Sequence, residues 1–264
     1  MYPTIQIFGL TIYTFGTLLA CTWFLFFVLL HRFSWKHGIT KPVFGAIIPF
    51  TLSMFFFGRI FYIIREWVEQ KFILMELVHG NILSFLRLFF TPQDYFFSLF
   101  GAILGFLLVF FILTEKHKKD RSKYFDAIME AFLWSALLGY FGAFLGGQVY
   151  GVSFHSPFSL LYDHKNSIVN YRTPLFPLPI LYLLTIGWCL IILRNLEKKV
   201  FPDGYRGCVL LWVFSAGVFL LEFWSGGRKD MFYDYFSLGL SQIGALIGIT
   251  IALLGILRLT NSRI

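Results

Sequence analysis

A stretch near the middle of the chain, GYFGAFLGGQVYG from Gly139 to Gly151, combines many glycines with side chains that form hydrogen bonds. Glycine leaves the backbone N–H groups accessible, and such groups at an interrupted helix can bind an anion without a charged side chain. Tyr140 and Gln148 are able to donate to such an anion or to a neighbouring helix. A glycine hinge without a ligand is the alternative interpretation. The glycines of this candidate anion site are Gly139, Gly142, Gly146, Gly147 and Gly151.

Two ionisable side chains lie inside apolar segments, Arg59 between Pro42 and Ile64 and Glu222 between Gly207 and Trp224. A charge at this depth in a bilayer costs roughly 2.5 to 3.5 kcal/mol unless something compensates it. The Arg59 guanidinium is able to bind a phosphodiester through two parallel hydrogen bonds. The alternatives are an ion pair between Arg59 and Glu222, or an arginine whose head group reaches the interface. Both residues are therefore candidates for a binding site.

Membrane-spanning helices must position these residues. The chain has 264 residues, of which 58% are hydrophobic and 14% are charged. A helix needs about 20 mainly apolar residues to cross a hydrocarbon core, and seven segments approach or exceed that length. The sequence therefore predicts an all-α polytopic membrane helical bundle, with residues 1–264 in a single domain. The predicted spans are Leu10–Leu30, Pro42–Ile64, Asp94–Thr114, Tyr124–Tyr150, Phe176–Leu193, Gly207–Trp224 and Phe236–Leu257.

The distribution of lysine and arginine predicts the orientation of this bundle. Of the 22 basic residues, fourteen fall in one set of loops, seven fall in the other set, and Arg59 lies within a span. Because cytoplasmic loops carry the excess of basic residues, the N-terminus is predicted outside and the C-terminus in the cytoplasm. The segment from Glu76 to Phe90 is too interrupted to span and is predicted to lie on the outer interface.

The charge and the cysteines exclude several other classes of protein. The net charge is +8, but the basic residues adjoin apolar segments and do not form a separate soluble surface, so no nucleic-acid partner is expected. The cysteines Cys21, Cys189 and Cys208 lie in apolar runs, and their spacing predicts neither a disulfide framework nor a zinc site. We expect all three to be small buried apolar side chains, and we expect no metal or cofactor.

Two carboxylates stand one turn apart near the start of the fourth predicted span. Asp126 and Glu130 follow the basic loop that runs from Lys116 to Lys123. Side chains at this spacing share one face of a helix, and carboxylates close to lysines commonly form ion pairs. We therefore expect interfacial ion pairs with this loop and no acid–base catalysis.

Glycines spaced four residues apart also occur outside the candidate anion site. In a bilayer, small residues at this spacing let two helix backbones approach closely. The expected role of these pairs is helix packing. They are Gly101 with Gly105 and Gly244 with Gly248.

Several motifs together resemble those of the bacterial prolipoprotein diacylglyceryl transferases. That family has a signature close to G-R-x-G-N-F-x-N-x-E-x-x-G, and Gly139, Gly142, Phe144 and Gly151 match it in register. Other similar segments agree in order and spacing. They are FGLTIYTFGTLLA near the N-terminus, FFFGRIFYIIREW with Gly58, Arg59 and Tyr62, SLFGAILG with Ser98, Gly101 and Gly105, FLLEFW with Glu222, and LGLSQIGALIG with Gln242.

The departures from the family pattern fall on residues that carry chemistry. Glycines are kept, whereas arginine, histidine and asparagine positions hold uncharged or apolar residues. This pattern preserves a fold more surely than an activity. The replacements are Tyr140 and Val218 for arginines, Phe100 for a histidine, Ala143 and Gly146 for asparagines, Gln148 for a glutamate and Phe15 for a tyrosine.

The resemblance implies a multi-pass protein of the bacterial inner membrane that transfers the diacylglyceryl group of phosphatidylglycerol to a cysteine thiol of a lipoprotein precursor. Phosphatidylglycerol, or another anionic phospholipid, and the precursor's signal segment would then be its partners. The alternative is an inactive family member that binds lipid or assists assembly. No catalytic residue is identified. The predicted substrate-binding residues are Arg59, Gly139, Tyr140, Gly142, Gly146, Gly147, Gln148, Gly151 and Glu222.

Overall fold

The structure is a computed structural model that describes residues 4–7, 10–39, 47–70, 99–115, 120–146, 149–163, 172–226 and 238–261. In these ranges the chain forms seven α-helices, two antiparallel two-stranded sheets and a short 3-10 helix. The helices are α1 (Thr14–Lys36), α2 (Ile47–Gln70), α3 (Leu99–Leu113), α4 (Arg121–Gly146), α5 (Leu178–Glu197), α6 (Tyr205–Leu221) and α7 (Leu240–Asn261), with the 3-10 helix at Glu222–Trp224. The strands are β1 (Thr4–Ile7) with β2 (Leu10–Tyr13) and β3 (Leu160–Asp163) with β4 (Arg172–Leu175).

The lengths of the helices agree with the predicted helical membrane protein. Five helices in the described ranges are long and apolar enough to cross a membrane, whereas α2 and α3 have shorter apolar parts. The count of seven spans and the orientation of the termini stay predictions. The predicted interfacial segment from Glu76 to Phe90 lies outside the described residues. The five long apolar helices are Thr14–Lys36, Arg121–Gly146, Leu178–Glu197, Tyr205–Trp224 and Ser241–Asn261.

Two predicted span boundaries were wrong for identifiable reasons. The first span was expected to begin at Leu10, but Leu10–Tyr13 pairs with Thr4–Ile7 as a hairpin, so α1 begins at Thr14. The fourth span was expected to reach Tyr150, but α4 ends at Gly146, and the described chain from residue 149 is not helical. The predicted helices are therefore present, and the structure also contains two antiparallel hairpins that the sequence did not predict.

The chain divides into two compact units, one of residues Met1–Pro42 with Asp120–Ile264 and one of residues Val43–Lys119. The prediction of a single domain stays a prediction. In the larger unit, buried side chains of α4, α5 and α6 form one apolar core. Cys189 and Cys208 are buried as expected, but the expectation was wrong for Cys21, which is exposed on the surface of α1. The core residues are Met129, Leu133, Ala136, Ile186, Cys189, Leu193 and Leu210.

Glycines bring α4 against α1 in the larger unit. A Cβ atom added to Gly142 would lie 2.7 Å from the Cβ of Leu18, and one added to Gly146 would lie 2.7 Å from the Cβ of Phe15. One added to Gly139 would lie 3.3 Å from a methyl carbon of Thr22. Contacts this close are possible only without a side chain, and they replace the missing hydrophobic drive between helices in lipid. The glycines of α4 are therefore packing residues for α1.

The smaller unit pairs α2 with α3 in the same way. A Cβ atom at Gly105 would lie 2.5 Å from the carbonyl oxygen of Ser53, and one at Gly101 would overlap the backbone of Phe57. The Ser53 hydroxyl donates to the Gly105 carbonyl at 3.0 Å. The expected packing role of Gly101 and Gly105 is confirmed. Arg59 is a buried residue of α2, and its guanidinium carbon lies 5.7 Å from the ring centre of Phe55.

Glu130 of α4 is the centre of an ion-pair cluster that joins three helices. Its side chain is fully buried, and its two oxygens lie 2.9 Å from the Lys36 ammonium and 3.0 Å from His37 Nε2. The same ammonium contacts Glu197 at the end of α5. The predicted ion pair of Glu130 therefore exists, although the partners described are Lys36, the last residue of α1, and His37, which follows it, and not the loop from Lys116 to Lys123.

Among the described residues, Asp126 is bonded to backbone groups and has no lysine partner, while Lys116 to Lys119 of the expected loop lie outside the described residues. Its two carboxylate oxygens accept the backbone N–H groups of Gly204 at 2.7 Å and of Gly207 at 2.6 Å. These groups belong to the first turn of α6, where helical N–H groups have no partner within the helix. Gly204 has a φ of +89°, which favours glycine. The carboxylate of one helix therefore caps the start of another.

Replacing a packing glycine of α4 is expected to separate it from α1. Gly142→Ala should lower the free energy of unfolding in detergent by about 1–3 kcal/mol, because the new methyl overlaps Leu18. Gly187→Ala is the matched control, since Gly187 has no atom within 4 Å of the added carbon. Thermal unfolding measures both variants. Equal stability of the two would contradict the close approach of α1 and α4.

Removing Lys36 from the Glu130 cluster is expected to lower stability more than removing Glu197. Lys36→Ala leaves a fully buried carboxylate with fewer partners, and should cost about 1–3 kcal/mol of unfolding free energy. Glu197→Ala removes a carboxylate that is 37% exposed, and should cost less than about 1 kcal/mol. Chemical unfolding of the two variants checks this order, and the reverse order would show that Glu130 does not depend on Lys36.

Candidate functional site

The segment 149–154, which follows α4, continues as extended backbone beside the end of α6. The Val152 N–H donates to the Trp224 carbonyl at 2.9 Å, and the Gly226 N–H donates to the Tyr150 carbonyl at 3.0 Å. Gly151 and Ser225 form an antiparallel bridge between these two bonds. The break after α4 is therefore filled by backbone pairing, which satisfies groups that a membrane protein cannot leave exposed to lipid.

The same segment pairs on its other side with the chain that leads into α5. The Phe176 N–H donates to the Val152 carbonyl and the Phe154 N–H to the Pro174 carbonyl, both at 2.9 Å. A Cβ atom at Gly151 would lie 2.5 Å from the Phe176 carbonyl oxygen, so this signature glycine permits the close approach of two backbones. The segment thus ties together the end of α4, the start of α5 and the end of α6. We call this region the Glu222 end of the unit.

A hydrogen-bonded pair and a stacked ring connect three helices at the Glu222 end. Glu222 begins the 3-10 helix after α6, and the Tyr182 hydroxyl of α5 donates to its Oε1 at 2.8 Å. The Tyr182 ring stacks on the Tyr140 ring of α4, with centres 4.8 Å apart and planes 24° apart. Two of the predicted site residues, Tyr140 and Glu222, are thus brought together through a third residue that the sequence did not single out.

Aromatic rings surround this connection. Phe176 stacks on Trp224 at 5.6 Å and meets Phe154 edge to face at 5.4 Å. Trp224 is 43% exposed and Phe158 is 81% exposed. Exposed aromatic rings beside polar backbone are typical of the level where a membrane protein meets the lipid head groups. The chemistry of the Glu222 end suits an amphipathic ligand with a polar head.

The glycines predicted to bind an anion have more than one role in the structure. Gly139 and Gly142 lie within α4, where N–H groups are used by helical hydrogen bonds. These two positions therefore pack against α1 in the structure, and their contribution to a lipid-binding site stays a prediction. Gly146 is the last residue of α4, while Gly147 and Gln148 lie outside the described residues.

Arg59 belongs to the unit Val43–Lys119, whereas Glu222 belongs to the larger unit. The expected ion pair between them, and the expected contact of Arg59 with a phosphate, stay predictions. In the described ranges no group of three or more His, Cys, Asp or Glu side chains is arranged to hold a metal ion.

Residues that depart from the family signature contact one another or the site. Phe15 packs against Gly146, so an aromatic side chain faces a residue without a side chain. Tyr140, at the signature arginine position, uses its ring to stack on Tyr182. Ala143, at a signature asparagine position, is buried. These three replacements therefore pack against neighbouring residues in the structure.

The sequence reasoning missed Tyr182 for a physical reason. Tyr182 lies in an apolar helix, and a tyrosine there is normally a packing residue with a hydroxyl. Its partner Glu222 is 40 residues away, so no local spacing reveals the bond. Gln242 was noticed only through the family resemblance. It is buried near the start of α7 and accepts the Gly239 N–H at 3.0 Å.

Comparison with known proteins agrees with these motifs. Residues 3–260 match the family described as "Prolipoprotein diacylglyceryl transferase". The chain is 25% identical over 259 residues to phosphatidylglycerol–prolipoprotein diacylglyceryl transferase 2 of Clostridium perfringens, covering 96% of this chain and 91% of that protein. It is 25% identical to the enzyme of this name from Halalkalibacterium halodurans, over 95% and 83% of the two chains. The Clostridium tetani relative is 23% identical, over 85% of each.

Removing the Tyr182 hydroxyl is expected to loosen the Glu222 end. Tyr182→Phe keeps the stacked ring but deletes the donor to Glu222, and hydrogen bonds to charged groups contribute about 1.5–3 kcal/mol. Thr185→Val is the control, because this hydroxyl on the same helix donates only to the Leu181 carbonyl one turn earlier among the bonds described. Thermal unfolding of both variants is the measurement. A Tyr182→Phe protein as stable as Thr185→Val would show that the bond does not hold the helices.

Proposed function

This chain belongs to the prolipoprotein diacylglyceryl transferase family, and we propose that it transfers the diacylglyceryl group of phosphatidylglycerol to the cysteine thiol of a lipoprotein precursor. The match over residues 3–260 and the names of the relatives support this activity. The protein would act as a multi-pass protein of the bacterial inner membrane, with its N-terminus outside and its C-terminus in the cytoplasm. This orientation puts the Glu222 end on the outer side, where exported precursors arrive.

The proposed reaction makes two demands on the protein. The cysteine must lose its proton, because the thiolate is the nucleophile. The thiolate sulfur then bonds to the glycerol carbon that carries the phosphate, the carbon–oxygen bond to phosphate breaks, and glycerol phosphate leaves with the bonding electrons. Negative charge grows on the leaving phosphate and must meet fixed donors or cations.

The residues that we propose for lipid binding meet these demands in part. Arg59 would bind the phosphodiester through its guanidinium. Glu222, whose carboxylate is oriented by Tyr182, would accept hydrogen bonds from the hydroxyl groups of the glycerol head. Tyr140, Gly146 and the neighbouring Gly147, Gln148 and Gly151 would form the wall beside it. The observation on which this site depends is the connection from Tyr140 through Tyr182 to Glu222 at 2.8 Å.

A specific observation also favours the second candidate, an inactive member that binds lipid. The signature arginine position is occupied by Tyr140, which stacks on Tyr182, and the contact of Phe15 with Gly146 fills the place of a tyrosine and an asparagine. Loss of one fixed donor typically slows such a reaction by about 10²- to 10³-fold. A protein with these replacements would still present a carboxylate and aromatic rings to a lipid head.

Assays of the purified protein separate the two candidates. With phosphatidylglycerol and a lipobox peptide, we expect a thioether-linked diacylglyceryl peptide, detected by mass spectrometry. Arg59→Ala should lower kcat/KM by about 10²-fold or more, because it removes the proposed phosphate donor. Arg206→Ala is the matched control, since Arg206 is bonded to the Lys199 carbonyl before α6, far from Glu222 along that helix.

The outcomes have different meanings. A folded protein that retains phosphatidylglycerol in native mass spectra but yields no thioether would contradict the transferase and support the lipid-binding candidate. Equal activity of Arg59→Ala and Arg206→Ala would contradict the proposed role of Arg59. Failure to retain lipid and to form product would contradict both candidates.

A further inference from the structure

Gln242 is the third residue of α7, and its side chain folds back to the start of the helix. Its Oε1 accepts the N–H of Gly239, the residue just before α7, at 3.0 Å. This bond is one half of a capping box, in which a Glu or Gln at the third position satisfies the N–H that precedes the helix. Gln242 is only 1% exposed, so the whole side chain lies inside the protein.

The capping bond leaves the other half of the amide unused. Gln242 Nε2 is buried and has no hydrogen-bond partner within the part of the chain that the structure describes. Turning the amide over would set its NH2 group against the Gly239 N–H, so the acceptor must remain where it is. A buried donor without a partner costs about 1–3 kcal/mol. Such a cost calls for a physical explanation.

Capping uses only half of this amide. The bond to Gly239 needs the Oε1 acceptor alone, and an uncharged amide avoids the cost of a carboxylate in a side chain that is only 1% exposed. The NH2 group, which the cap does not use, has no partner among the described residues. Buried polar groups nearly always have a partner, so a bound molecule that supplies an acceptor is a physical explanation.

The packing of α7 on α6 locates this donor. A Cβ atom at Gly255 would lie 2.5 Å from the Cys208 sulfur, and an added Cβ at Gly248 would overlap the Ser215 hydroxyl. Gly255 is next to Cys208 and Gly248 is next to Ser215, so the two helices run in opposite directions. Continuing this register for six residues from Gly248 brings Gln242 level with residue 221, within about one turn of Glu222.

We propose that the Gln242 side-chain amide is a lipid-binding donor, which hydrogen bonds an oxygen of a phospholipid seated beside Glu222. The inference rests on the proposed function and adds a residue to its site. The two groups are complementary, since Glu222 accepts hydrogen bonds and Gln242 donates them. A phospholipid with a hydroxylated head offers both a hydroxyl group and phosphate or ester oxygens. An uncharged donor at this depth needs no counter-ion.

Two substitutions separate the donor from the cap. Gln242→Glu keeps the acceptor for Gly239 and removes the NH2 group. Gln242→Met removes both groups and adds no charge. The measurements are thermal unfolding, the Kd for phosphatidylglycerol in detergent micelles, and KM and kcat where the wild type transfers. Thr250→Val is the control on α7, because Thr250 is exposed and its hydroxyl donates to Leu246 of the same helix.

We expect the Kd or KM of Gln242→Glu for phosphatidylglycerol to rise about tenfold, the effect of one lost hydrogen bond, and its unfolding temperature to fall because the new carboxylate is buried. Gln242→Met should show the same weaker binding and a lower unfolding temperature. Because methionine is uncharged, agreement between the two variants excludes simple repulsion of the anionic lipid. The affinity of the variants for diacylglycerol identifies the lipid oxygen that accepts the bond. Weaker binding of both lipids indicates an ester oxygen, and weaker binding of phosphatidylglycerol alone indicates a phosphate oxygen.

Several results would overturn the inference. Unchanged lipid affinity in both variants, with or without a lower unfolding temperature, would show that Gln242 only caps α7. If the wild type transfers the diacylglyceryl group and both variants keep its KM, the proposed role of Gln242 is contradicted while the proposed function stands. If the wild type binds lipid without transferring, the function fails and the Kd values still decide the role of Gln242. A wild type that binds neither lipid would overturn both.

Discussion

The close approach of α1 and α4 is the constraint on which the larger unit depends. Phe15 and Leu18 of α1 occupy space that any side chain at Gly146 and Gly142 would fill. In lipid, apolar surface gives little drive for helices to associate, so dispersion contacts at this distance must supply it. α4 ends at Gly146, beside Phe15, and the segment from residue 149 onward pairs with both the chain before α5 and the end of α6. Tyr182 then connects Tyr140 to Glu222.

The relation of this chain to its family is clearest at the Glu222 end. Among the glycines that match the signature, an added carbon would strike Leu18 at Gly142 and Phe176 at Gly151. The positions that differ are filled by groups that pack, such as Tyr140 on Tyr182. Backbone pairing and ring packing therefore hold the described part of this end, where the sequence lacks ionisable groups of the family signature. A half-buried carboxylate with a tyrosine donor, and an amide at the same level, form the polar remainder.

Sequence reasoning predicted the helices well because a long apolar run has few alternatives in a bilayer. It misjudged Leu10–Tyr13, since a short apolar run has the same composition at the start of a helix and in a hairpin. It also misjudged Asp126, whose partners Gly204 and Gly207 are 78 and 81 residues away. Nearby lysines were the only partners visible along the sequence. The bond from Tyr182 to Glu222 was missed for the same reason, because distant pairs become visible only once helices are packed.

The cap that Asp126 places on α6 has a consequence at the opposite end of that helix. Two bonds from a single carboxylate to Gly204 and Gly207 prevent α6 from rotating about its axis or sliding along α4. A rigid helix transmits such an angular restraint along its length, here over the roughly 25 Å that separate its first turn from Glu222. The cap therefore restrains the backbone that carries Glu222 from the opposite end of α6, while the bond from Tyr182 orients the carboxylate itself.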